Sequence, residues 1–238
     1  MMTLDKILQE GAAEMGYPIS AEALLHFQKY YQILEEKNRV MNLTAIHGEA
    51  EVARLHFLDC LALLKAEELA GKHLIDVGSG AGFPGLVLKI GQPDLQLTLL
   101  DSLGKRVEFL REVCGELQLH GVNCLTARAE EAAAEPAMRE QFDIATSRAV
   151  AGLPMLCELC LPFVKVGGVM LAMKGPDCRE ELDCAARAIK LLGGAVERTL
   201  DYRIPGTDIL HSVVCIRKAY ATPGQYPRRF AKIKKEPL

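Results

Sequence analysis

Residues 73–85 read HLIDVGSGAGFPG. Leu74, Ile75 and Val77 are apolar, with Asp76 set among them. A short apolar run bounded by glycine predicts a buried parallel strand. Gly78, Gly80 and Gly82 follow, then Phe83, Pro84 and Gly85. Glycine lets the backbone take positive φ and lets a ligand approach the main chain closely. Pro84 suits the first turn of a helix, where its missing N–H costs nothing. The stretch therefore predicts a strand, a tight glycine turn and a helix start, which together form a nucleotide-sized corner at the carboxyl end of a first strand.

Two cofactors compete for such a corner. Gly80, Gly82 and Gly85 satisfy G-x-G-x-x-G, and Asp101 stands at the distance expected of a ribose-binding acid. That pattern suits NAD. Asp76 argues against it, because an acid two residues before the first glycine would repel a pyrophosphate. The same acid is compatible with S-adenosylmethionine (SAM), which has no phosphate and carries a sulfonium and an amino group. Asp101 serves the ribose under either reading. The residues favour SAM.

Working outward, residues 1–70 read as helical. Leu4, Ile7 and Leu8 begin one amphipathic pattern, which Gly16-Tyr17-Pro18 ends. Ser20 is a good N-cap for a second pattern running through Phe27, Tyr30 and Leu34. Residues 38–44 read as a loop, and 49–69 as another helix, on which His56 and Asp59 form a structural pair three residues apart. Beyond the glycine corner, strands are expected at 95–100, 122–126, 142–146 and 167–173, alternating with helices at 105–119, 152–164 and 180–192. Alternation of this kind makes a parallel doubly wound sheet. Two further strands, 196–203 and 208–217, are separated only by Pro205-Gly206, so the last must run antiparallel.

The chain has 238 residues, half of them hydrophobic, with a formal net charge of −3. That is enough for one large α/β domain. No apolar run is long enough to span a membrane, and the first residues lack the apolar region of a signal peptide. The expectation is a cytoplasmic protein without a membrane partner. Cys157 and Cys160 make a lone C-x-x-C inside an apolar helical pattern, better read as core thiols than as a metal site, so no metal is expected. The near-neutral charge hides a basic end: Arg217, Lys218, Arg228, Arg229, Lys232, Lys234 and Lys235 stand against a single acid, Glu236, with Tyr220, Tyr226 and Phe230 interleaved. Cations mixed with aromatics suit RNA; the alternative is a solvated end. Neither N-P-P-Y nor D-P-P-Y follows the fourth strand, and no Pro-Cys pair is present, which leaves ring-nitrogen, ribose and small-molecule methyl acceptors.

The combination NLTAI (42–46), HFLD (56–59), DVGSGAGFPG (76–85), LLDSLGKRVEFL (99–110), RAEE (128–131), FDIATSRAVA (142–151), MKG (173–175) and YPRR (226–229) resembles the RsmG family, also called glucose-inhibited division protein B. The likeness runs from about residue 38 to the end. It departs where Ala231-Lys232-Ile233 replaces the family's usual G-x-P turn. The resemblance implies a Rossmann-like class I SAM-dependent methyltransferase over 71–218, mostly parallel with an antiparallel last strand. It further implies an N-terminal helical extension over 1–70 and a basic tail over 219–238. It also implies methylation of N7 of one guanine in 16S ribosomal RNA, presented as rRNA or as the small subunit. Cofactor contacts are then expected from Asp76, Gly78, Gly80, Gly82, Phe83, Asp101, Ser102, Ala129, Glu130 and Arg148, with Arg148 also a candidate for catalysis by positioning. RNA contacts are expected from Lys174, Arg228, Arg229, Lys232, Lys234 and Lys235. The rival classes are an NAD-binding oxidoreductase and a non-catalytic RNA-binding protein on the same fold.

Overall fold

The computed structural model describes residues 3–176 and 178–238. Its centre is a seven-stranded sheet in the order β3-β2-β1-β4-β5-β7-β6. The strands are β1 (His73–Val77), β2 (Gln96–Asp101), β3 (Val122–Thr126), β4 (Phe142–Arg148), β5 (Val164–Lys174), β6 (Gly194–Arg203) and β7 (Leu210–Lys218). β1 to β5 pair in parallel, and β7 runs antiparallel between β5 and β6. The short Pro205-Gly206 connection leaves no room for a crossover helix, which enforces that reversal. β1 lies between β2 and β4. The chain leaves these neighbours in opposite directions, and a crevice opens beyond their carboxyl ends.

Side chains alternate between the two faces with the strand period of two. Leu74, Leu97, Leu99, Ile144 and Leu171 pack on one face, whereas Ile75, Leu100, Ala145, Met170 and Ala172 pack on the other. The first face is covered by α1 (Leu4–Glu14), α2 (Ala21–Met41), α5 (Gly85–Gly91) and α6 (Gly104–Glu116). The N-terminal helices therefore share one apolar cluster with the sheet: Leu8, Phe27, Tyr30 and Leu34 are buried in it. The second face is covered by α7 (Ala129–Ala132), α8 (Leu153–Cys160) and α9 (Arg179–Leu191), with Ile233 of the short terminal helix α10 (Phe230–Lys235). Cys157 and Cys160 are buried thiols on this face. Among the described residues, no helix is long and apolar enough to cross a membrane.

Two local expectations change. The expected loop over 38–44 is shorter, because α2 continues to Met41 and ends on Asn42 at φ 49°. The Asn38 side chain then clamps Thr44, accepting from its amide at 2.9 Å and donating to its carbonyl at 2.8 Å. The expected helix over 49–69 is not uniform. After α3 (Glu49–Val52) it widens into a π-helix over Ala53–Leu58, then tightens through α4 (Asp59–Leu61) into a 3-10 turn over Ala62–Lys65. Such widening inside a helix redirects side chains and is frequent at functional sites. Here it carries His56 and runs directly into Asp59.

Candidate active site

A crevice of about 490 Å³ lies at the carboxyl ends of β1 to β4. Gly78, Gly80 and Phe83 line it from the glycine loop, and Asp101 and Ser102 from the end of β2. Ala129 and Glu130 follow β3, and Arg148 ends β4. Most of the expected cofactor residues thus converge on one wall. Asp76 and Gly82 do not line the crevice.

The glycines have different reasons to be there. Gly78, Gly80 and Gly82 all take positive φ. A Cβ on Gly78 would come within 2.6 Å of Val150 Cγ2, and one on Gly82 within 2.5 Å of Leu86 Cδ1. A Cβ on Gly85 would lie 2.8 Å from Asp76 Oδ2. Gly82 and Gly85 therefore serve close packing beneath the loop. A Cβ on Gly80 would meet nothing nearer than the Gly78 carbonyl at 3.9 Å, so that side of its backbone borders open space.

Six of the loop amides are occupied, all but that of Ala81. Gly78 and Ser79 donate to the Leu100 carbonyl at 2.8 and 3.0 Å, and Gly82 and Phe83 to the Ser79 carbonyl at 2.7 and 3.2 Å. Gly80 donates to Asp101 Oδ2 and Gly85 to Asp76 Oδ2, each at 2.9 Å. A pyrophosphate site needs free amides pointing at the ligand; these six are not free. Asp101 also accepts from Leu103 N at 2.9 Å and lies 3.5 Å from Arg106. A carboxylate has about four lone-pair sites, so Asp101 retains acceptor capacity for a diol. Glu130 is buried at the crevice with its nearest cation, Arg128, 4.0 Å away.

Asp76 was expected beside the cofactor sulfonium. Instead it is fully buried beneath the turn, and its Oδ1 has no hydrogen-bond partner. Burial pushes its carboxyl up to about 7, against the opposing hydrogen bond from Gly85.

Arg148 is the hub of a cluster that sequence reasoning only partly anticipated. Its guanidinium donates to Asp59 Oδ2 and to the Leu55 carbonyl, each at 3.1 Å, and to His56 Nδ1 at 2.6 Å. It lies 5.0 Å from the centre of the Phe83 ring, on which His56 also stacks at 4.2 Å. His56 and Asp59 were expected to pair with each other; both bind Arg148 instead, because the π-turn aims them at the sheet rather than along the helix. Burial and the adjacent guanidinium push the His56 imidazole down to about 3. The ring is therefore neutral, accepting at Nδ1 and donating at Nε2 to Thr44 Oγ1, 2.8 Å away. Burial alone would raise the Asp59 carboxyl. The His211 hydrogen bond, the Arg148 charge and the Tyr202 hydroxyl outweigh burial and hold it below the usual range. Tyr202 Oη and His211 Nδ1 both reach Asp59 Oδ1 at 2.7 Å. Thr44, Tyr202 and His211 carried no signal of their own in the sequence, since each is brought in from a distant element.

The expected RNA contacts divide. Lys174 donates to the Ala151 carbonyl at 3.0 Å and pairs with Glu181 at 2.7 Å, with only 10% of its side chain exposed. Arg228 forks onto the fully buried Glu158, with contacts of 2.6 to 3.1 Å. Both are structural ion pairs, not free phosphate contacts. Lys218 is buried too, bonded to the Leu161 carbonyl and paired with Glu140. Arg229, Lys232, Lys234 and Lys235 remain exposed. Phe230 closes the crevice, with the Arg128 guanidinium 5.6 Å over its ring.

The fold is that of SAM-dependent methyltransferases. It superposes on a SAM-dependent methyltransferase from Aquifex aeolicus with a TM-score of 0.51, at 20% identity over 69% of this chain and 92% of that one. It also superposes on the [4+2]-cyclase SpnF with a TM-score of 0.57, at 15% identity over 86% and 99%, so the architecture alone fixes no reaction. Sequence narrows the class. Residues 23–205 match the family model for rRNA small subunit methyltransferase G, and the chain belongs to that family. Curated relatives named ribosomal RNA small subunit methyltransferase G are 43% identical in Clostridium botulinum (strain Loch Maree / Type A3) and 48% in Alkaliphilus oremlandii, each over the whole of both chains.

Proposed function

We propose that this protein transfers the methyl group of SAM to N7 of one guanine in 16S ribosomal RNA, acting on the rRNA or small subunit in the cytoplasm. The observation that carries the choice of cofactor is the occupied glycine loop. With six of its amides engaged and only that of Ala81 without a partner among the described residues, the corner offers a pyrophosphate few donors, which weakens the support for the NAD reading. A crevice of about 490 Å³ falls in the range of roughly 300–1,000 Å³ typical of small-molecule sites. The open backbone at Gly80, the remaining lone pairs of Asp101 and the buried Glu130 suit a ribose and an adenine amine. Arg148 and Phe83 border the reacting end. When bound, the sulfonium supplies an electrophilic methyl group.

The rest is positioning. N7 of guanine carries an in-plane lone pair and no proton at neutral pH, so its attack requires no general base. Consistent with that, the histidine at the crevice, His56, is held neutral and fully engaged. Holding two reactants in line is worth roughly 7–11 kcal/mol when the geometry is right. Asp59 and His56 contribute by fixing Arg148. The exposed cations Arg229, Lys232, Lys234 and Lys235 offer phosphate contacts beside the crevice.

The test is to incubate the protein with SAM and small subunits lacking the modification, then map the product by mass spectrometry. One N7-methylated guanine is expected. RNA carrying 7-deazaguanine at that position should bind and remain unmethylated; a methylated 7-deaza product would overturn the N7 assignment, since the reacting atom is absent.

A further inference from the structure

A second cavity, about 560 Å³, shares His56, Arg148 and Ala149 with the cofactor crevice. Its floor is apolar, formed by Leu55, Leu156, Met173 and Ile209. Its polar lining includes Asp59, His211, Lys174 and Glu181. Two groups on this wall keep unused hydrogen-bond acceptors. His211 Nδ1 donates to Asp59 Oδ1 at 2.7 Å. The charge of that carboxylate is already met by Arg148 at 3.1 Å. The imidazole tautomer with its proton on Nδ1 presents Nε2 as an acceptor, and among the described residues Nε2 has no hydrogen bond. Glu181 engages only one oxygen, Oε2, with Lys174 Nζ at 2.7 Å and Leu153 N at 3.2 Å. Oε1 has no partner among the described residues.

We propose that this second cavity receives the target guanine, and that His211 and Glu181 read its Watson–Crick edge. The assignment rests on the methyltransferase reading above. Guanine presents two adjacent donors on that edge, N1–H and the exocyclic N2 amine. Adenine presents an acceptor at N1, which would oppose a wall of acceptors. The preference comes from pairing two donors with two acceptors at a partly exposed wall, where each hydrogen bond contributes on the order of 1 kcal/mol. The chosen edge also explains which atom reacts. N7 lies across the purine from N1 and N2, so a base gripped by its Watson–Crick edge turns N7 away from that wall. The rim shared with the cofactor crevice is the direction left open to it. The apolar floor suits the flat faces of an extruded base, and the Asp59–His211 pair fixes the ring that meets it.

The experiment compares full-length protein acting on 16S rRNA with guanine or inosine at the target; inosine is guanine without the N2 amine. Wild type should methylate the inosine RNA with a kcat/KM lower by about tenfold, the usual scale of one lost hydrogen bond. His211→Ala and Glu181→Ala should each lower kcat/KM on guanine RNA by about tenfold or more. The double variant should treat the two bases alike. Affinity for S-adenosylhomocysteine, measured by calorimetry, should not change in Glu181→Ala, which leaves the Asp59–Arg148 pair untouched. Undiminished discrimination in the variants would overturn the assignment, as would a wild type that accepts inosine and guanine equally. Should His211→Ala fail to fold, Glu181→Ala at its half-exposed position carries the same comparison. Wild type that methylates no guanine in the rRNA would instead remove the underlying function, and this proposal with it.

Discussion

At the residue scale, Asp76 links folding to pH. Its carboxyl is wholly buried, with one oxygen bonded to Gly85 N and the other without a partner. The unfolded group releases its proton near the ordinary value of 3.8, the folded one near about 7. Between those values the folded chain holds a proton that the unfolded chain has lost. Stability from this group is therefore greatest in acid and falls as pH rises through the window, levelling above about 7. His56 works in the opposite sense. Its folded value lies near about 3 against an ordinary 6.5, so its contribution is lost as pH falls below 6.5. Asp76→Asn removes only the first effect. The melting temperature of the variant should rise relative to wild type on going from about pH 4 to about pH 8. A difference that stays constant over that range would show that Asp76 ionises normally.

At the scale of elements, the basic tail is two structures in one sequence. Its composition suggested a uniform RNA-binding strip, but α10 packs Ile233 into the core and Arg228 neutralises Glu158. Removing one partner of a buried ion pair typically costs about 3–5 kcal/mol. Arg228→Ala should lower the melting temperature markedly. Replacing Arg229, Lys232, Lys234 and Lys235 by Ala should leave melting nearly unchanged. That change should instead flatten the salt dependence of RNA binding, by roughly 0.7–0.9 in the log–log slope for each lost phosphate contact. An unaltered slope would mean that these cations are merely solvated. Sequence could not separate the two sets, because Arg228 and Arg229 are adjacent and chemically identical. What distinguishes them is Glu158, which lies 70 positions away. The strands were legible for the opposite reason: their alternating and continuous apolar runs are local signals, and every strand expected from 73 onward is present. The Asp59–Arg148–His56 cluster lay between these extremes. Its residues stood out, but the π-turn that turns them towards β4 has no local signature.

At the scale of the molecule, the helices before β1 belong to the same body as the sheet. Tyr30 and Phe57 are wholly buried and contact Phe83 of the glycine loop, with ring centres 5.6 and 6.2 Å away. The boundary at about residue 70 marks a change of sequence period, and the hydrophobic cluster runs across it. Full-length protein should unfold in one transition, with near- and far-ultraviolet dichroism coinciding. A chain beginning at residue 71 should show no cooperative transition and bind no S-adenosylhomocysteine. A stable, cofactor-binding fragment would prove that the sheet stands alone.

The arginine hub carries one more consequence, for the order of folding. Its bonds close long stretches of chain: 89 residues separate Arg148 from Asp59, and 152 separate His211 from Asp59. Closing such loops costs entropy that local helices do not incur. The hub should therefore close after the local helices have formed. Refolding protein should gain S-adenosylhomocysteine binding no earlier than its far-ultraviolet dichroism; binding that precedes the dichroism would overturn that order.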